Sequence, residues 1–264
     1  MKDISYDILD LLEQYGPDAQ GIQKALEEQE RPEVLYALSP IRENLLDWYD
    51  WNPEEKALQA GADYGALTGV LLRGVREVSV WDPRDEDLEV IRRRYPKAEA
   101  LRYLKELPEA GDWDYILIPE LRKDLMPGGG EEALALLFEK LFRLLKPGGK
   151  LIAAGFNRIG LRWFAGAEAD EECVPLSWRQ IEGLTEKLGA GNVKHYYPVP
   201  DHRLPTAVYS DRRLPKKGEL TNLSVAYDRP GYRYFSEEAG FDELCREGLF
   251  REFADSYLVI WEKS

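Results

Sequence analysis

The stretch KALQAGADYGALTGVLLRGVREVSVWD, residues 56–82, decides the fold. KALQAG reads as a short buried strand that ends in glycine. GALTGVLLRG reads as a helix. EVSVWD alternates apolar and polar residues and ends in an acid, the pattern of a second strand. Strand, glycine turn, helix and strand in this order form the opening unit of a parallel α/β sheet. In doubly wound sheets, ligands bind where the carboxyl ends of strands meet the next helix. Glycines there let the backbone approach a ligand, and the helix amino end favours negative groups. The turn spaces Gly61, Gly65 and Gly69 four apart, so it does not fit the G-x-G-x-x-G dinucleotide fingerprint. About 20 residues after Gly61, Asp82 closes the second strand, the place and distance at which a carboxylate binds ribose hydroxyls.

The same alternation continues outward. DEDLEVIRRRYP (85–96) reads as a helix closed by Pro96, and AEALRYL (98–104) as a third strand. DWDYILIPE (112–120) holds a buried strand. EEALALLFEKLFRLLKPGG (131–149) is an amphipathic helix that Pro147-Gly148-Gly149 ends, and KLIAAGFN (150–157) is the next strand. SWRQIEGLTEKLGA (177–190) has a serine start and a glycine stop. NVKHYYPVPDHRLPTAVYS (192–210) is aromatic and proline-rich, and 241–263 reads as two helices and a final strand. The expectation is a mostly parallel sheet of about seven strands with helices on both faces. Upstream, Ile4, Ile8, Leu11, Leu12 and Tyr15 share one helical face, and Gly16-Pro17 stops that helix. A second helix spans about 18–29, and Ser39-Pro40 is a cap followed by proline. This predicts a helical extension over residues 1–38 and one domain over 39–264.

The 264 residues are 44% hydrophobic and 11% aromatic, enough for a packed core. No apolar run approaches the roughly 20 residues that span a bilayer. The N-terminus mixes acids with apolar residues and is not read as a signal peptide. Two distant cysteines, Cys173 and Cys245, argue against a disulfide framework or zinc site and favour a reducing cytoplasm. A formal charge of −14 makes nucleic acid and anionic lipid poor partners.

Candidate functional residues follow from position. Gly61, Gly65 and Asp82 belong to the ligand turn. Glu120 and Asn157, just past the fourth and fifth strands, are candidates for the reacting end of a ligand, and Trp163 and Phe164 for its pocket. His195 and His202 have neither metal nor triad spacing and are read as incidental. Arg92-Arg93-Arg94 is read as a solvated helix face, and the run Arg212, Arg213, Lys216 and Lys217 as a surface loop.

Several strings together resemble a family of class I methyltransferases of Firmicutes that use S-adenosylmethionine (SAM). They are SPIRENLLDWYDW (39–51), GALTG (65–69), LLKPGGKLIAA (144–154), NRIGLRWFAGA (157–167), YYPVPDHRLPTAVYS (196–210) and GLFREFADSYLVI (248–260). The resemblance implies a seven-stranded Rossmann-like core with SAM as methyl donor. Some members are found beside polysaccharide-building glycosyltransferases, but the resemblance does not name the acceptor: a sugar hydroxyl, a small metabolite and a protein side chain all stay open. On the family pattern, Gln59, Gly61, Asp63 and Gly65 would hold the methionine part of SAM and Asp82 the ribose. Leu101–Leu104 would flank adenine, and Glu120, Asn157, Tyr196 and Tyr197 would line the acceptor site. The glycine loop is degenerate. Gln59 stands where the family has an acid, and Asp63 where it has glycine. Phe156 stands where the family has glutamate, and the stretch after Gly166 is shortened to AEADEECVPLSW. A residue with a Cβ at position 63 can be asked for a positive φ, at about 1 kcal/mol. These departures suggest the alternative of a catalytically inactive, methyltransferase-like binding module.

Overall fold

The computed structural model describes residues 4–221 and 233–264. Three helices open the chain: α1 (Ser5–Tyr15), α2 (Ala19–Glu28) and α3 (Pro32–Leu38). The alternating part follows, with β1 (Lys56–Ala60), α4 (Thr68–Gly74), β2 (Glu77–Trp81), α5 (Asp85–Arg94), β3 (Leu101–Leu104) and β4 (Trp113–Ile118). It continues through α6 (Gly130–Arg143), β5 (Leu145–Phe156), α7 (Leu161–Phe164) and α8 (Trp178–Leu188). The last elements are β6 (Asn192–Val199), β7 (Ala207–Ser210), α9 (Glu237–Glu247), α10 (Phe250–Phe253) and β8 (Ser256–Glu262).

All eight strands form one sheet in the order β3-β2-β1-β4-β5-β8-β6-β7. The five strands from β3 to β5 pair in parallel, and β8, β6 and β7 pair antiparallel. The expected architecture holds, with one strand more than the seven anticipated. The extra strand, β7, arises because 192–210 folds back as a hairpin, with Tyr196 opposite Ser210 and Val199 opposite Ala207. Pro198 is tolerated because the β6–β8 ladder ends at Tyr196, so its missing N–H faces no donor-hungry neighbour there. A second difference lies at Pro147-Gly148-Gly149, which belongs to β5 rather than to a helix end. The register of β4 against β5 shifts there, and Gly148 takes a φ of 78°.

Alternation along the central strands divides the core in two. Leu58, Ile116, Ile118 and Leu151 face α6 and α8, and Trp261 joins them from β8. Ala57, Tyr115, Leu117 and Ile152 face the opposite way, toward α4 and α5. α1–α3 add a third cluster on the α5 side, where Ile4, Ile8 and Leu38 surround Tyr64 of the β1–α4 turn. No helix among the described residues is long and apolar enough to cross a membrane.

Candidate functional site

The crevice lies at the carboxyl ends of β1, β2, β4 and β5. Its first wall is the β1–α4 turn. Gly61 turns the chain at a φ of 97°, and its N–H donates to the Trp81 carbonyl at 2.8 Å. Gln59 is fully buried at the end of β1. Its amide Nε2 donates to the carbonyls of Gly61 and Ala62, both at 2.9 Å, and its Oε1 accepts from Thr68 Oγ1 at 2.8 Å. The side chain therefore braces the turn from behind. A carboxylate at this position has no donor for the two carbonyls.

Asp63 and Tyr64 both adopt positive φ, 44° and 53°, and Gly65 follows at 76°. These are costly angles for residues with a Cβ. Four contacts hold the turn. The buried Asp63 carboxylate forms an ion pair with Arg42. The Tyr64 side chain is buried among α1, α3 and α5. Arg94 Nη1 donates to the carbonyls of Tyr64 and Ala37, each at 2.8 Å. Tyr95 Oη donates to Gly65 O at 3.0 Å.

Asp82 ends β2 and is buried. Its Oδ2 accepts from Ala62 N at 2.6 Å and from Arg122 Nη2 at 2.8 Å. Its Oδ1 accepts from Arg84 N at 2.8 Å and from the same Nη2 at 3.0 Å. Arg122 comes from the loop after β4 and also reaches Asp87 (3.2 Å) and Asp124 (3.0 Å). Asp87 pairs with Arg84 and accepts from Ser5 Oγ of α1 at 2.7 Å. Burial pushes the Asp87 carboxyl up to about 6 even with Arg122 beside it. Burial works against the charge on Arg122, but the carboxylates of Asp82, Asp124 and Asp87 overcome it and hold the guanidinium protonated.

The second wall lies past β4 and β5. Glu120 is buried, and its Oε2 accepts from His202 Nε2 at 2.9 Å and Arg203 Nε at 2.8 Å. Burial alone would raise this carboxyl, yet His202 and Arg203 drive it far below the usual range. His202 is fully buried, and its Nδ1 lies 2.9 Å from Ser256 Oγ. Arg203 Nη2 reaches Asp170 Oδ2 and Cys173 Sγ, both at 2.9 Å. Asp201 pairs with Arg162 Nη1 at 2.9 Å. Phe156 sits among these groups. Its ring meets His202 edge-on at 4.6 Å and lies under the guanidinium groups of Arg162 (4.6 Å) and Arg203 (4.9 Å). An aromatic face accepts such cations.

Two sequence readings need correction against these contacts: that of His202, and that of Arg94, which is read with Arg92 and Arg93 as a solvated face but is buried and donates to the carbonyls of Ala37 and Tyr64. His202, read as incidental, is the centre of the buried network, joining Glu120 to Ser256. Arg122 did not figure among the candidates, although it is the principal partner of Asp82. Asn157 is placed beside the network but spends its side chain on backbone. Its Nδ2 donates to Glu252 O (2.7 Å) and Ala254 O (2.9 Å), and its Oδ1 accepts from Ile159 N (3.1 Å). Tyr197 Oη donates to Asp211 at 2.6 Å, and Tyr196 packs on Trp48 with ring centroids 4.7 Å apart. Trp163 donates to Asn157 O at 2.6 Å, whereas Phe164 is exposed. Leu101–Leu104 form the edge strand β3, where Tyr103 lies under Arg92 at 4.4 Å. Among the described residues, no group of three or more His, Cys, Asp or Glu is arranged to hold a metal ion.

No protein-family model matches the chain, and no curated protein matches it in sequence. Solved structures do match in shape. A SAM-dependent methyltransferase from Archaeoglobus fulgidus superposes with a TM-score of 0.54 at 15% identity, over 86% of this chain and 94% of that one. Phosphoethanolamine N-methyltransferase 1 of Haemonchus contortus, solved with phosphoethanolamine and S-adenosylhomocysteine, gives 0.53 at 10% identity, over 98% of this chain and 49% of that one. The N-methyltransferase NodS of Bradyrhizobium japonicum, bound to S-adenosylhomocysteine, gives 0.50 at 14% identity over 99% of both chains. The fold is therefore the Rossmann-like fold of class I SAM-dependent methyltransferases. At these identities the likeness is one of fold.

Proposed function

We propose that this chain uses a methyltransferase fold as a binding scaffold, and that its crevice, as folded, is not a seat for SAM. One observation carries the reading: the carboxylate of Asp82 already accepts four hydrogen bonds, two of them from Arg122. A carboxylate offers about four acceptor positions. A ribose diol would have to displace Arg122 and leave a buried guanidinium with fewer partners. Breaking a buried ion pair costs about 3–5 kcal/mol, or roughly two to four orders of magnitude in affinity. The degenerate turn supports the same reading. Where a glycine would leave the backbone open, Asp63 brings a side chain and its partner Arg42. In this proposal the described part of the N-terminal extension, residues 4–38, closes the α5 side of the crevice, through Ser5 on Asp87 and the apolar cage around Tyr64.

Calorimetric titration with SAM and with S-adenosylhomocysteine tests the proposal. The expected result is no binding up to about 1 mM. A dissociation constant at or below about 10 μM, some 7 kcal/mol of binding, sinks it. That outcome favours the second reading, a SAM-dependent methyltransferase acting on a sugar or small metabolite. The retained frame supports this alternative: Gly61 and Gly65 keep positive φ, and Asp82 still anchors Ala62 N.

A further inference from the structure

A cavity of about 660 Å³ opens on the other side of the strand ends, between the first turn of α6 and the segment 173–176. That segment is sewn onto the sheet. Val174 N donates to Leu121 O at 2.8 Å, Leu176 N to Phe156 O at 3.1 Å, and Arg158 N to Leu176 O at 3.2 Å. Its first residue, Cys173, lines the cavity and accepts through Sγ from Arg203 of the Glu120 network at 2.9 Å. The volume falls in the range of small-molecule sites, about 300–1,000 Å³.

The lining states a chemistry. Met126, Pro127, Leu134, Val174, Pro175 and Leu176 make an apolar interior. Gly128, Gly129 and Gly130 bring no side chains, and a Cβ at any of them would meet nothing within 4 Å, so the approach along this loop is open. Two cations stand in the lining, Lys123 and Arg158. Neither pairs with a carboxylate among the described residues. Arg158 is oriented by Nε, which donates to Pro175 O at 3.2 Å, and its two Nη groups make no hydrogen bond among the described residues. The one acid in the lining, Glu131, is engaged by Gln180 Nε2 at 2.8 Å. The lining thus sets two cations without a carboxylate partner against the single charge of Glu131, and in a chain of net charge −14 this local excess of positive charge beside an apolar cavity favours an anion.

We propose that this cavity binds a small organic anion with an apolar body, its charged group held between Lys123 and Arg158. The proposal does not rest on whether the Asp82 crevice takes a nucleoside.

The experiment compares two fluorescent probes that share one aromatic body. 8-Anilinonaphthalene-1-sulfonate carries a negative charge, and N-phenyl-1-naphthylamine does not. Titrated into the full chain, the sulfonate should bind at a single site at least about tenfold tighter than the neutral amine, a difference set by the charged contacts. Arg158→Glu and Lys123→Glu alter exposed side chains and should each remove most of that preference while leaving the melting curve unchanged. Lys97→Glu, the same charge change far from the cavity, should leave it intact. Equal affinity for the two probes overturns the proposal, as does a sulfonate preference that survives both cavity substitutions or falls equally with Lys97→Glu.

Discussion

A single nitrogen, Nη2 of Arg122, donates to both carboxylate oxygens of Asp82, at 2.8 and 3.0 Å. This contact joins the loop after β4 to the end of β2 across the crevice. It also leaves the remaining donors of the guanidinium for Asp87 and Asp124.

Arg122→Ala strips Asp82 and Asp87 of a buried cation. The expected loss is about 3–5 kcal/mol of stability, which for a chain of this size lowers the melting midpoint by roughly 6–15 °C. Asp82→Asn in the same chain should return part of it, because a neutral amide tolerates the loss of the guanidinium. Differential scanning calorimetry on the double-mutant cycle checks this, and additive effects would speak against direct coupling.

Gln59→Glu introduces the acid that the resembled family has at this position, yet should weaken the fold. Both Nε2 donations disappear and a carboxylate faces the carbonyls of Gly61 and Ala62. A loss of about 2–3 kcal/mol follows from buried groups left unsatisfied. Urea unfolding measures it, and a variant as stable as the parent would show that the amide is not the brace.

Asp63→Gly sets two effects against each other. Glycine relieves a positive φ, a gain of about 1 kcal/mol. It also leaves Arg42, 1% exposed, without its carboxylate, a loss of about 3–5 kcal/mol. The second effect is larger, so the single variant should be destabilised. Asp63→Gly combined with Arg42→Met should recover most of the loss in thermal unfolding, and failure to recover would remove the ion pair from the account.

Asp255 is buried, and desolvation raises its carboxyl to about 7 although Arg162 N donates to it at 2.8 Å. An acid with a raised folded pKa binds more protons folded than unfolded. Its stabilising contribution is complete below the unfolded pKa near 4 and is lost as pH rises through about 7. Asp255→Asn keeps an acceptor for Arg162 N and removes the titration. Urea midpoints at pH 5.5 and 8 should then differ less in the variant than in the parent, with the variant the more stable at pH 8. An unchanged pH slope would count against Asp255 as its source.

Much of the fold was legible because local patterns mark it. The strands Leu58, Ile116–Ile118 and Leu151–Ala154 declared themselves by apolar runs, and Asp82 by its place after EVSVW. Gln59 and Asp63 stood out as departures from a pattern, but their partners did not. Thr68 as the acceptor's mate and Arg42 as the counter-ion are tertiary facts. The buried network was invisible for the same reason. Glu120 and His202 lie 82 residues apart, and Arg122 and Asp82 lie 40 apart. In ELRKDL an arginine looks like any solvated cation. The usable signal for His202 was that Asp201-His202-Arg203 places three consecutive titratable residues among prolines and aromatics, a combination that periodicity cannot score. The strand β7 escaped because four residues at a sheet edge carry too short a pattern.

The brace at Gln59 has a consequence for the substitutions that the turn can accept. It holds the turn through the carbonyls of Gly61 and Ala62, so the family-like residues at positions 59 and 63 are each penalised while Arg42, Thr68 and Arg122 stay as they are. No one-step path back to an open turn is downhill. A sequence that holds these contacts reaches an open turn only when several substitutions are made together.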